Sequence, residues 1–196
     1  MFDLVSLVKG TGYLGLFAII FAESGILIGF FLPGDSLLFT AGYLASQGYL
    51  AIVPLIILLF VAAIAGDAVG YLFGKKAGVR VFSRPESFWF RPSHIEKTRY
   101  FFERYGAKTI LLSRFLPAVR TFAPIMAGVG GMHYRTFAIY NAIGALTWAC
   151  GVTLLGYIFG QTIPNANKYI VPVVLIIIVL SILPTVWQII KEKRKV

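Results

Sequence analysis

Four ionisable side chains stand inside apolar, proline-broken stretches of this chain. Glu23 and Asp35 lie in FAESGILIGFFLPGDSLLF, and Arg114 and Arg120 lie in SRFLPAVRTFAP. A charge at membrane depth costs roughly 2.5–3.5 kcal/mol on insertion scales, so it marks a functional or paired site. A carboxyl that meets a cation there can bind and release protons as its surroundings change. A guanidinium stays charged and offers a planar donor fork that fits phosphate. Two acids in one half and two bases in the other imply one polar site assembled between two structural units.

The elements that must position these groups are membrane elements. The chain has 196 residues, 58% of them hydrophobic and only 13% charged, with a mean hydropathy of +0.82. A soluble domain carries about 25% charged residues, so the composition excludes one. Net charge is +10, but nine Lys/Arg and three acids fall between Lys75 and Lys108, and the tail KEKRK adds four bases. Positive loops facing anionic lipid explain that pattern better than nucleic-acid binding. Cys150 is the single cysteine and reads as a small core residue. The N-terminal MFDLVSLVKG has no basic n-region or cleavage site, so no removable signal peptide is expected.

The chain contains itself twice. Phe31-Leu32-Pro33 recurs as Phe115-Leu116-Pro117, 84 residues on. Ala41-Gly42 recurs as Ala127-Gly128, and Gly70-Tyr71-Leu72-Phe73-Gly74 as Gly156-Tyr157-Ile158-Phe159-Gly160, both at an offset of 86. Each unit holds a proline-broken apolar segment followed by a longer apolar one. The longer segments, Ala51–Gly74 and Tyr134–Gly160, can each span a bilayer core, which needs about 20 residues. Ile170–Ile190 is a third span. The broken segments, Tyr13–Ala45 and Ile110–Gly131, read as re-entrant helical hairpins, with Pro33, Gly34 and Pro117 as the helix breaks.

Placing the basic loop and basic tail in the cytoplasm makes the two repeats inverted. The expected fold is therefore all-α and integral to the membrane. It is an inverted repeat of re-entrant hairpin plus transmembrane helix, with an additional C-terminal transmembrane helix. A single domain is expected over 1–196, with repeat one at about 13–74, the basic loop at 75–108, repeat two at about 109–160 and the last span at about 169–190. Such repeats typically build a midplane site from discontinuous helices. Within the loop, Ser93-His94-Ile95-Glu96 is a capping box and Gly106 a stop. They bound an amphipathic helix for the membrane interface or for packing on the membrane domain.

Each polar residue also has a plainer reading. Asp35, just after Pro33-Gly34, can cap the next helix, and Glu23 can be a structural acid. The arginines can simply neutralise the acids. Asp67 is the fifth intramembrane charge, and its counterpart at offset 86 is Thr153. It is either a proton relay or a structural cap facing an arginine. His94 and His133 lack metal-ligand spacing, so no metal or cofactor is expected. Trp148 and Trp187 read as interface anchors or packing, and the repeated glycines as close helix contacts.

Phe-Ala-Glu23-Ser, Phe-Leu-Pro33-Gly34-Asp35, Gly66-Asp67-Ala-Val-Gly70-Tyr71 and Ser113-Arg114-Phe-Leu-Pro117-Ala-Val-Arg120 together resemble the DedA family, whose members share the VTT (SNARE-associated) domain. The resemblance covers nearly the whole chain. It implies a prokaryotic membrane protein that moves phosphate-bearing lipids, such as polyprenyl phosphates or phospholipids, between leaflets and depends on the proton-motive force. It also implies that Glu23, Asp35, Arg114 and Arg120 occupy the family's functional acid and base positions.

The expectation is a flippase or scramblase, not an enzyme. Glu23, Asp35 and Asp67 would bind protons, and Arg114 and Arg120 would bind the substrate phosphate. Expected partners are membrane lipids and protons, with no nucleic acid, and a homo-oligomer is compatible with the sequence. The expected location is the plasma (inner) membrane, multi-pass, with a cytoplasmic C-terminus. Two alternatives are a proton-coupled transporter of small cations or drugs, and a membrane lipid phosphatase. No nucleophile–histidine pair adjoins the arginines to favour the phosphatase.

Overall fold

The computed structural model describes residues 4–26, 33–82 and 104–180. Every regular element among them is helical. Helix α1 is Leu4–Gly25, α2 is Gly34–Ser46 and α3 is Ile52–Phe82. Three short helices follow: α4 Lys108–Ser113, α5 Pro117–Arg120 and α6 Phe122–Val129. Helix α7 is Tyr134–Thr162 and α8 is Ile170–Leu180. Three stretches are long and apolar enough to cross a bilayer: Val5–Gly25, Ile52–Lys76 and Tyr134–Thr162.

Several boundaries differ from those read off the sequence. The first arm starts at Leu4 rather than Tyr13, because Val5, Leu7 and Val8 already supply apolar helix. The earlier boundary survives as a kink at Gly12, whose φ of 57° and ψ of −151° interrupt the helix. Helix α3 continues past Gly74 to Phe82. Residues 110–131 break into α4, α5 and α6, with Leu116 extended and Pro117 opening α5. Proline disfavours helix in the residue before it and suits the first helical position, so the break falls there. Most of the expected amphipathic helix, residues 93–103, lies outside the described residues, as do 181–190 of the last span. Gly106, its expected stop, has a φ of 68°.

The glycines of the repeated motifs bring specific helices together. Helix α2 packs along the second half of α7, and α6 packs along α3. A methyl group at Gly42 would overlap the Thr153 carbonyl and sit 3.0 Å from the Tyr157 nitrogen. The matching Gly128 would overlap the Tyr71 carbonyl and sit 2.7 Å from the Lys75 nitrogen. Gly74 and Gly156 likewise face the backbones of Ile125 and Phe39. So the helix after each proline break lies in the glycine groove of the other repeat's long helix. Small residues allow such backbone approach where lipid provides no hydrophobic drive. Helix α1 meets α3 the same way, with Gly25 against Gly66.

Tyrosines fasten the periphery. Tyr13 Oη accepts from the Ala51 N–H at 2.8 Å, and Tyr71 Oη donates to the Met132 carbonyl. Tyr71 also stacks on Phe137 at 4.6 Å.

Candidate functional site

The proline breaks and glycine crossings bring together the five charges singled out in the sequence: Glu23, Asp35, Asp67, Arg114 and Arg120. Glu23 comes from the end of α1, two residues before the Gly25–Gly66 contact, and Asp67 follows Gly66 on α3. Asp35 stands in the first turn of α2. Arg114 caps the end of α4, and Arg120 ends α5. Glu23 is 1% exposed, Asp67 2%, Arg114 2% and Arg120 4%, while the Asp35 side chain is 20% exposed.

Two ion-pair groups form. Arg120 donates through Nη2 to Glu23 Oε1 and through Nη1 to Asp35 Oδ1 at 2.9 Å. Arg114 donates through Nη2 to Asp67 Oδ2 and to Asn141 Oδ1. Asn141 in turn donates to the Ile64 carbonyl at 3.4 Å. Three carboxylates therefore face two guanidiniums. Buried charges of this kind persist only when paired and hydrogen-bonded.

Two glycines make room for the charged groups. A Cβ at Gly34 would lie 2.8 Å from the Glu23 carboxyl carbon, and one at Gly144 would lie 2.7 Å from Arg114 Cδ. Gly34 thus admits the Glu23 carboxyl beside the start of α2. Gly144 admits the Arg114 stem against α7.

Pairing does not exhaust the hydrogen-bonding capacity. Among the described residues, Glu23 Oε2, Asp67 Oδ1, Arg114 Nε and Nη1, and Arg120 Nε have no hydrogen-bond partner. The same holds for the hydroxyls of Ser24, Thr121 and Thr153. An unmatched buried polar group costs about 1–3 kcal/mol, more when charged. A site with so many open donors and acceptors suits a polar ligand. Among the described residues, no His/Cys/Asp/Glu group could hold a metal ion.

Of the two readings of Trp148, packing holds and the interface anchor does not: it is 3% exposed within the core, and its Nε1 also donates to Asp35 Oδ1 at 2.6 Å. The Arg120 guanidinium lies 4.3 Å from its ring centroid and that of Arg114 5.7 Å away. Trp148 sits in a π-helical turn, Leu146–Cys150, a device often found at functional sites. Asn141 was not singled out in the sequence. Asn141 and Trp148 are seven residues apart, two turns on one helix face, and that spacing was the available signal. Trp187 and His94 lie outside the described residues, and His133 is exposed at the start of α7.

The chain has relatives in sequence. Residues 32–158 match the VTT domain model. The chain is 50% identical over 184 residues to "Protein DedA" of Escherichia coli K12, covering 93% of this chain and 84% of that one. It is 39% identical over 166 residues to "Uncharacterized membrane protein ML0287" of Mycobacterium leprae, covering 85% and 74%. It is 37% identical over 163 residues to "Inner membrane protein YqjA" of E. coli K12, covering 82% and 72%. No solved structure matches the chain.

Proposed function

The chain belongs to the DedA family of VTT-domain membrane proteins, and from that premise we propose that it carries a phosphate-bearing lipid between the leaflets of a bacterial inner membrane. The observation that carries this reading is the pair of buried arginines with unpartnered N–H groups inside one carboxylate-lined site. Guanidiniums recognise phosphate well, and here carboxylates already occupy part of their donor capacity. When the site is empty the acids hold the arginines. When a lipid enters, its phosphate takes over guanidinium donors and frees the acids. Proton binding by Glu23, Asp35 or Asp67 then offsets the charge left behind and couples transport to the proton gradient.

The swapped glycine crossings support an inverted repeat of re-entrant hairpins, and the basic tail KEKRK favours a cytoplasmic C-terminus. Such repeats work by rocking one unit against the other around a fixed site. A carrier role is favoured over lipid hydrolysis by Ser113, whose hydroxyl donates to the Ile110 carbonyl at 2.8 Å within its own helix. A second reading, proton-coupled transport of small cations, is favoured by one fact: three carboxylates outnumber two guanidiniums.

Reconstitution in liposomes tests both. Leaflet exchange of labelled phospholipid or polyprenyl phosphate is expected, with loss in an Arg114→Ala/Arg120→Ala variant. Gradient dependence marks a pump, and its absence a scramblase. Uptake of an organic cation with no lipid exchange overturns the lipid reading.

A further inference from the structure

We propose that Trp148 is a positioning residue that holds Asp35 when Arg120 releases it to engage the substrate. The inference rests on the lipid-carrier reading. Asp35, Arg120 and Trp148 form a closed triangle. One oxygen, Asp35 Oδ1, accepts from both Arg120 at 2.9 Å and the indole N–H at 2.6 Å. The face of the same indole lies 4.3 Å from the Arg120 guanidinium. An arginine drawn toward a phosphate gives up the carboxylate and the ring together. Asp35 then still has the indole N–H, so this carboxylate is not stranded.

Glu23 is placed differently. Among its contacts that the structure resolves, Arg120 holds Oε1 and nothing holds Oε2. Departure of Arg120 therefore strands Glu23 and leaves Asp35 anchored. The indole thus sorts two acids that share one arginine: Asp35 stays in place, and Glu23 is the group whose charge must be answered. Trp148 lies in the π-helical turn Leu146–Cys150, two turns beyond Asn141 on the same face of α7. From that face Trp148 meets Asp35 and Arg120, and Asn141 meets Arg114. Both guanidiniums lie within about 6 Å of the one ring, the range of cation–π attraction.

The test uses full-length protein carrying Trp89→Phe and Trp187→Phe, which leaves Trp148 as the sole indole. In detergent, farnesyl phosphate is titrated while indole emission and bound radiolabel are both recorded. Farnesol and tetraphenylphosphonium serve as comparisons. Binding of farnesyl phosphate that shifts the emission, with no response to farnesol and none in an Arg120→Lys background, is the expected result. Bound farnesyl phosphate with unchanged emission overturns the role of Trp148 and leaves the lipid reading standing. An emission shift with tetraphenylphosphonium and no binding of farnesyl phosphate overturns the lipid reading, and with it the release step proposed here.

A Trp148→Phe variant keeps an aromatic face beside Arg120 and removes the N–H together with part of the ring volume. Its exchange rate in liposomes is expected to fall roughly tenfold or more, the usual scale for a hydrogen bond to a charged group. Farnesyl phosphate affinity should change by less than about twofold, since Arg120 keeps its other contacts. Equal losses of affinity, rate and thermal stability would mark Trp148 as packing alone. Wild-type exchange in Trp148→Phe would also overturn the proposal.

Discussion

Arg114 and Arg120 leave the same proline-broken segment six residues apart, yet they tie different parts of the molecule together. Arg120 reaches Glu23 on α1 and Asp35 on α2, the helices on either side of the first break. Arg114 reaches Asp67 on α3 and Asn141 on α7, the two long helices. One arginine joins broken segment to broken segment, and the other joins a broken segment to the frame. Chemical type is the same in both cases, so the contacts are what distinguish them. Arg120 faces two acids, one of them with a second donor and 20% exposure. Arg114 faces an acid that is 3% exposed, wedged against Gly144. We therefore expect Arg114 to act chiefly as an anchor and Arg120 chiefly as the group that moves.

The largest effect should come from cutting the anchor. Asp67→Ala leaves Arg114 buried with Asn141 as its remaining partner. Breaking a buried pair on one side costs about 3–5 kcal/mol, so thermal unfolding in detergent should occur at much lower temperature, with poor membrane yield. The double variant Asp67→Leu/Arg114→Met removes both charges and should recover most of that loss, because an apolar pair of similar volume is often as stable. Recovery of fold without recovery of lipid exchange would separate anchoring from phosphate binding. An Asp67→Ala protein as stable as wild type would end the distinction between the two arginines.

The next effect should appear when the two arginines are changed alike. Arg120→Lys keeps a charge for Glu23 and Asp35 but loses the fork that serves both acids. Exchange should drop by roughly tenfold or more, with stability changed by about 1–2 kcal/mol. Arg114→Lys should reverse the ranking, with the greater loss in melting temperature. Equal behaviour of the two lysine variants in both assays would show that the contacts, not the roles, are what differ.

Much of this comparison was visible in the chain. A charge in an apolar segment is conspicuous, so all five were identified as candidates. Proline breaks and repeated glycine motifs marked where helices stop and touch. The pairing was not visible. Glu23 and Asp35 had no reason of type or spacing to share Arg120 and leave Arg114 to Asp67. That follows from which broken segment packs against which long helix. Asn141 carries no signal of its own in the sequence, and Trp148 reads there only as an anchor or packing, because both residue types have ordinary uses in membrane helices, at interfaces and in helix contacts. A π-helical turn leaves no periodic mark, since it inserts one residue into a pattern that apolar residues blur anyway. The sequence hides the true start of the first helix because Lys9 interrupts its apolar run. Its ammonium rests over the Tyr49 ring at 3.9 Å, which lets the helix carry a charge near its end.

A smaller effect should test whether the two halves are as alike in packing as they are unlike in charge. Gly42→Ala and Gly128→Ala each drive a methyl group into a backbone carbonyl of the facing helix, where neither side can yield. Overpacking of this kind costs roughly 1–3 kcal/mol, and the two variants should lose similar amounts of thermal stability. Gly151→Ala is the control, because nothing lies within 4 Å of its Cβ position. It should be neutral or gain up to about 1 kcal/mol from helix propensity. A large loss at Gly42 with none at Gly128 would mean that only one crossing holds the fold.

The smallest effect on stability, and the sharpest on the comparison, should come from Gly34→Ala and Gly144→Ala. Each added methyl would crowd a side chain rather than a backbone: the Glu23 carboxyl at 2.8 Å and the Arg114 stem at 2.7 Å. Side chains can shift, and alanine favours helix over glycine by about 1 kcal/mol, so both melting temperatures should stay near wild type. The functional outcomes should part. Gly34→Ala displaces Glu23 from the Arg120 side of the site, where the proposed cycle has Arg120 let go, so exchange is expected to slow several-fold. Gly144→Ala shifts the Arg114 stem along a helix it is only anchored to, and exchange should change less. If Gly144→Ala proves the more damaging, then Arg114 moves during transport as well. The phosphate would then pass between two mobile guanidiniums rather than be met by one while the other keeps the frame in place.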